Sequence, residues 1–162
     1  MVHAVTSNRL DYCNSLFVNI SQENLFKLQK VQNAAAKLIL GRRRRDSASS
    51  ALYQLHWLNI DARIVFKILL LVHKVLRGKC SNNLTLRYKG HNCRPSDEMM
   101  LITPQFKTMY GKRLFEYNGS RLWNALPPKV RKEEDTEQYK KKIKTILFEG
   151  CCDLKRKAFK YT

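Results

Sequence analysis

The sequence predicts a mostly α protein, with a helical bundle in its N-terminal half followed by a smaller α+β tail. Three observations carry that expectation. Apolar residues recur at helical spacing over 21–39, 61–77 and 136–148. Residues suited to cap a helix stand before the runs, and Gly41 and Gly78 stand just past two of them. With 162 residues, 44% of them hydrophobic, the chain can also fill a core.

The first element is a short helix from about Ser7 to Phe17. Ser21 then caps a helix in which Leu25, Leu28, Val31, Ala35, Leu38 and Ile39 fall within an arc of about 140°. Lys27, Lys30 and Lys37 occupy a separate arc of about 80°, so one face is expected to pack and the other to be cationic. Gly41 stops this helix, and the run Arg42, Arg43, Arg44, Arg45 follows where positive charge complements the helix dipole. Asp46 and Ser47 open a third helix through about Leu55. Trp57-Leu58-Asn59-Ile60 reads as a turn into the longest helix, about Asp61 to Arg77, closed by Gly78. Apolar residues surround nearly all of that helix, leaving Arg63, Lys67 and Lys74 as its one wet stripe.

The polar stretch 79–95 reads as a linker between a bundle at 1–78 and a tail domain at 96–150, with a basic disordered terminus at 151–162. In the tail, 99–103 and 106–110 flank Pro104 and predict a short hairpin ending at Gly111. A helix is expected over Lys112 to Leu126, weakened in the middle by Asn118-Gly119 and stopped by Pro127-Pro128. The last helix runs from a Thr136 cap to about Phe148, with Tyr139, Ile143, Ile146 and Leu147 on one arc and lysines off it.

Composition narrows function. Lys plus Arg number 31 against 13 Asp plus Glu, a net charge of +18, which predicts attraction to polyanions and to nucleic acid first. The longest apolar run, Ile68 to Val72, is far shorter than a bilayer span, so no membrane partner is expected. The N-terminus lacks a secretory pattern, which predicts an intracellular protein, nuclear or cytoplasmic. In that setting Cys13, Cys80, Cys93, Cys151 and Cys152 read as free thiols.

Chemistry-bearing patterns are sparse. The acidic cluster Glu133-Glu134-Asp135 reads as a helix lead-in rather than a two-metal site. His3, His56, His73 and His91 are dispersed, and His91 and Cys93 with Cys80, Cys151 or Cys152 match no usual zinc spacing, so no metal site is expected. The six glycines occur singly, without a phosphate-cradling loop, and no nucleophile motif is present. The reading is a chain with no cofactor, no small-molecule substrate and no catalytic residue of its own.

The cationic surface remains. Lys27, Lys30, Lys37, Arg42, Arg43, Arg44 and Arg45 predict an edge that neutralises nucleic-acid phosphates, with Arg63, Lys67 and Lys74 as a second line. Four consecutive arginines without an interposed acid exceed what solubility requires. His56, Trp57, Leu58 and Trp123 read as structural, the tryptophans filling corners between helices.

Six blocks of sequence, in order, resemble a known family: Asn8-Arg9-Leu10-Asp11-Tyr12-Cys13-Asn14-Ser15-Leu16; Leu28-Gln29-Lys30-Val31-Gln32-Asn33-Ala34-Ala35-Ala36-Lys37-Leu38-Ile39; Leu55-His56-Trp57-Leu58 with Phe66-Lys67-Ile68-Leu69-Leu70-Leu71-Val72; Tyr110-Gly111-Lys112-Arg113; Arg121-Leu122-Trp123-Asn124-Ala125-Leu126-Pro127; and Tyr139-Lys140-Lys141-Lys142-Ile143-Lys144-Thr145. The family is the carboxy-terminal part of reverse transcriptases of jockey-like, chicken-repeat-type non-LTR retrotransposons. The resemblance implies that Ser7 to about Gly78 corresponds to the region at and after the polymerase thumb, which grips the template and primer backbone. The aromatic-Ala-Asp-Asp polymerase motif lies upstream of the matched region and is absent here, so the resemblance implies a catalytically incomplete fragment of an RNA-directed DNA polymerase. Asn8 to Gly41 also resembles a short N-terminal segment catalogued with an AlkB-type tRNA methyltransferase and dioxygenase family, whose iron-binding residues have no counterpart here. The alternative to sequence-independent RNA or DNA binding is a helical module that docks on the missing polymerase palm.

Overall fold

The computed structural model describes residues 8–12, 14–18, 20–80, 84, 86–89 and 99–149. It is mostly helical, as the periodicity predicts. After a helical turn at 8–11 and a 3-10 turn at Asn14–Phe17 come α1 (Gln22–Ile39), α2 (Ala48–Gln54) and α3 (Ile60–Leu76). A second 3-10 turn at Gly111–Arg113 precedes α4 (Phe115–Asn124), α5 (Pro128–Arg131) and α6 (Thr136–Phe148).

Local chemistry sets the helix ends. The Ser21 side chain accepts from the Asn24 N–H at the start of α1. Three helices close by one device, in which the residue after the cap adopts a left-handed backbone and two amides turn back onto the last carbonyls. Gly41 (φ 62) closes α1, with Arg42 N–H donating to Lys37 O, and Gly78 (φ 65) closes α3, with Lys79 N–H donating to Lys74 O. At α2 the same position is filled by His56 (φ 51), with Trp57 N–H donating to Leu52 O. The structural role expected of His56 is therefore this closure: its ring is exposed, whereas Trp57, Leu58 and Trp123 are buried.

α3 is the centre of the molecule. Ile60, Ala62, Ile64, Val65, Ile68, Leu69, Val72 and His73 are buried along it, and it packs on α1, α4, α6 and the Asn14–Phe17 turn. Each fully buried aliphatic side chain there stabilises the fold by about 1.5–3 kcal/mol. The contact with α4 is tight, since a Cβ on Gly119 would lie 2.9 Å from Val72 Cγ2. The glycine expected only to weaken this helix is what lets it pack. A second cluster, Ala35, Ala36, Ala51, Leu52 and Trp57, joins α1 to α2 through small side chains.

Several expectations are corrected. The main core takes Val18, Leu58 and Ile64 from one half and Leu101, Trp123, Tyr139 and Leu147 from the other, so the residues on either side of 79–95 share one core. α1, at 18 residues, is one longer than α3, at 17. The cap of α6 is Asp135, whose carboxylate accepts from the Glu137 and Gln138 N–H groups, rather than Thr136. Leu114 has an extended backbone and splits the helix expected over Lys112 to Leu126, and Pro128 starts α5 at its first position.

The hairpin across Pro104 does not form. Leu101 instead makes an isolated antiparallel bridge with Tyr88. The Asn124 side chain clamps the Leu101 backbone, Oδ1 accepting from its N–H and Nδ2 donating to its carbonyl, both at 2.8 Å. Trp123 Nε1 donates to Met99 O at 2.7 Å. The Met100 carbonyl and the Ile102 N–H are paired with Lys89 and Arg87, and the Leu101 N–H and carbonyl with Asn124, so these groups are engaged away from residues 106–110. The terminus expected at 151–162, most of the 79–95 stretch, and Cys13, Cys93, Cys151 and Cys152 lie outside the described residues.

Candidate nucleic-acid interface

The buried face of α1 keeps Leu25, Leu28 and Ala35 of its predicted apolar arc but is rotated away from Val31 and Leu38. Gln32, Ala35 and Ala36 are buried and Leu25 and Leu28 are partly so, but Val31 is 56% and Leu38 67% exposed. Gln32 is drawn inward because its Nε2 donates to the buried Leu58 carbonyl at 2.8 Å. Gln29 beside it accepts from the Ile60 N–H at 2.9 Å, satisfying a free amide at the start of α3. These two amides fix α1 against α3, and so fix where its lysines stand.

The cations of the expected edge divide into two groups. Lys37 Nζ donates to the Arg44 carbonyl at 2.8 Å, and Arg42 reaches across to α2, donating to Ser50 Oγ at 3.0 Å and Gln54 Oε1 at 2.8 Å. Asp46 Oδ2 accepts from the Arg43 N–H at 2.8 Å. These bonds pin the turn between α1 and α2. They hold Arg43, Arg44 and Arg45 on the outside, exposed, and none of the three side chains has an ion pair or hydrogen bond among the described residues. Along α1, Lys27 forms an exposed pair with Glu23 at 2.7 Å, and Lys30 Nζ lies 4.6 Å from the centre of the Phe26 ring. Both remain at the surface, where such contacts are weak.

The second line is largely occupied. Arg63 Nε contacts Asp11 Oδ1 at 2.5 Å and Lys67 Nζ contacts Asp11 Oδ2 at 2.9 Å, so one carboxylate from the N-terminal turn bridges both. Desolvation pushes the Asp11 carboxyl up, but the hydrogen bonds and charges of Arg63 and Lys67 outweigh it and hold the group below its usual range. Lys74 is half-buried. Sequence reasoning missed this partner because Asp11 stands 52 residues from Arg63, with no periodic relation to it.

The acidic cluster acts as a lead-in to α6. Asp135 caps the helix, Glu134 lies 3.6 Å from Arg77, and Glu133 pairs with Lys142, whose ammonium holds the Glu133 carboxyl below its usual range. Among the described residues no group of three His, Cys, Asp or Glu is placed to hold a metal ion, and no helix is long and apolar enough to cross a membrane. No protein-family model matches the chain, and no curated protein or solved structure does either.

Proposed function

We propose that this chain binds the phosphate backbone of RNA or DNA without reading its sequence, as a catalytically incomplete part of a retrotransposon reverse transcriptase working in the nucleus or cytoplasm. The observation that carries the reading is the pinned turn after α1, where Arg43, Arg44 and Arg45 face solvent without an acidic partner among the described residues. Guanidinium groups suit phosphate oxygens in pairs, and a turn already fixed by Lys37 and Arg42 loses little freedom on binding. Lys27 and Lys30 extend the same surface along α1.

Binding measured at stepped salt tests it. Each duplex phosphate neutralised contributes about 0.9 to the slope of log affinity against log salt. An Arg43/Arg44/Arg45→Ala variant is expected to lose about 2–3 from that slope, leaving Arg42 to hold α2. An unchanged slope removes this surface from the interface.

A second reading, docking on a polymerase palm, is favoured by the exposure of Val31 and Leu38 on the neighbouring face of α1. Its measurement is association state: a Val31→Ser/Leu38→Ser variant, which changes no charge, would abolish self-association or partner binding while keeping the salt slope.

A further inference from the structure

The segment from Met99 to Phe115 holds Lys107, Lys112 and Arg113 and no aspartate or glutamate. Its tip carries large apolar groups in water: Tyr110 is 81% exposed, Met109 51% and Leu114 49%. Lys107 and Arg113 are exposed beside them, and the Arg113 guanidinium carbon lies 5.9 Å from the centre of the Tyr110 ring.

This tip is rigidly built. Gly111 lies so close to Phe106 that a Cβ there would come within 2.6 Å of the Phe106 Cβ, so glycine alone fits. Gly111 N–H donates to Thr108 Oγ1 at 3.2 Å, Arg113 N–H to Tyr110 O at 3.0 Å, and Leu114 N–H to Gly111 O at 3.1 Å. From below, the buried Asn118 side chain donates to the carbonyls of Lys112, at 2.7 Å, and Leu114, at 3.1 Å. The fold therefore fixes a loop carrying an aromatic ring that stands 81% exposed and outside the core.

We propose that Tyr110 is a stacking platform for an unpaired base of single-stranded RNA or DNA, with Lys107 and Arg113 holding the flanking phosphates. An exposed ring beside Lys107 and Arg113, in a segment without acids of its own, complements a ligand that alternates flat bases with negative charge, and a fixed loop presents it at low ordering cost. A duplex hides its base faces, so the site selects single strands. The inference shares its ligand class with the backbone reading above but uses a different surface.

The test compares a fluorescein-labelled oligothymidylate with a duplex of equal length, by anisotropy on the full chain. Tyr110→Ala is expected to weaken single-strand binding roughly tenfold while leaving duplex affinity unchanged, and Tyr110→Phe to restore it, because the ring face and not the hydroxyl does the stacking. The ring is exposed, so neither substitution disturbs the core. Equal loss on single strand and duplex, or no loss with Tyr110→Ala, overturns the stacking site. If the Arg43/Arg44/Arg45→Ala variant loses affinity while Tyr110→Ala loses none, the backbone reading stands and this one falls. Loss of self-association in Tyr110→Ala, without the single-strand effect, assigns the patch to a second copy of the chain and also overturns it.

Discussion

His73 Nε2 donates to the carbonyl oxygen of Glu133 at 3.0 Å, joining the middle of the molecule to the turn before α6 across 60 residues. Arg77 Nη2 donates to the same oxygen at 2.8 Å. The imidazole is fully buried and stacks on Tyr139, ring centres 4.1 Å apart, while Tyr139 donates its own hydroxyl to Leu69 O. Since a carbonyl can only accept, Nε2 carries the proton. Nδ1 is then bare and has no hydrogen-bond partner among the described residues.

That arrangement fixes a pH dependence. Desolvation lowers the His73 pKa, with the charges of Arg77 and Lys79 adding to it and the Glu133 carbonyl opposing it. The unfolded chain therefore binds a proton that the folded chain refuses. Stability is full above about pH 6.5 and falls as pH drops from there toward the lowered folded value. Thermal melts from pH 8 to pH 5 are expected to show the fall, and His73→Gln, less stable at pH 8 by roughly 1–3 kcal/mol, to flatten it.

Arg63 and Lys67 serve the fold. Asp11→Asn is expected to cost about 1 kcal/mol at neutral pH, discounted because the pair is partly exposed. A carboxyl whose folded pKa is lowered contributes stability above its unfolded value and loses it as pH falls through the folded one. The difference in melting temperature between wild type and Asp11→Asn should thus shrink below about pH 4. Arg63→Ala should lower the melting temperature and leave the salt slope of nucleic-acid binding unchanged.

Gly119→Ala is expected to destabilise. Alanine gains about 1 kcal/mol of helix propensity over glycine, but its methyl would sit 2.9 Å from Val72 Cγ2, and such overpacking costs about 1–3 kcal/mol. Val72→Ala in the same chain should remove the clash, so a double-mutant cycle by chemical denaturation should give a coupling of opposite sign to the single losses.

Gln32→Leu raises the hydrophobicity of α1 and should still lower stability. It leaves the buried Leu58 carbonyl without its donor, a loss of roughly 1–3 kcal/mol. Urea unfolding midpoints measure it; a gain in stability would show that packing outweighs the bond.

The start of α1 and the stops of α1 and α3 are legible in this sequence, whereas the cap of α6 and the break at Leu114 are not. Ser21 and the glycines at 41 and 78 act within six residues along the chain, on bonds such as Arg42 N–H to Lys37 O. Which face of α1 turns inward is not legible. Its apolar arc includes Val31 and Leu38, yet the exposed pair lies outside the contact, because Ala35, Ala36 and Ala51 let α2 approach closely and Gln32 finds its acceptor on the chain before α3. Tyr110 is legible in the sequence as one aromatic residue before Gly111, but not as a ring standing in water.

The sequence by itself determined the helices over 22–39, 48–54, 60–76 and 136–148, their order and the excess of positive charge, since capping, periodicity and composition are local or additive properties. Only the tertiary structure decided which cations are free. Arg63 and Lys67 are bound by a carboxylate far away in sequence, Arg42 and Lys37 are spent on a turn, and Arg43, Arg44 and Arg45 are left to solvent. A charge becomes available to a partner only when folding brings no opposite group within reach, and that depends on contacts between distant segments.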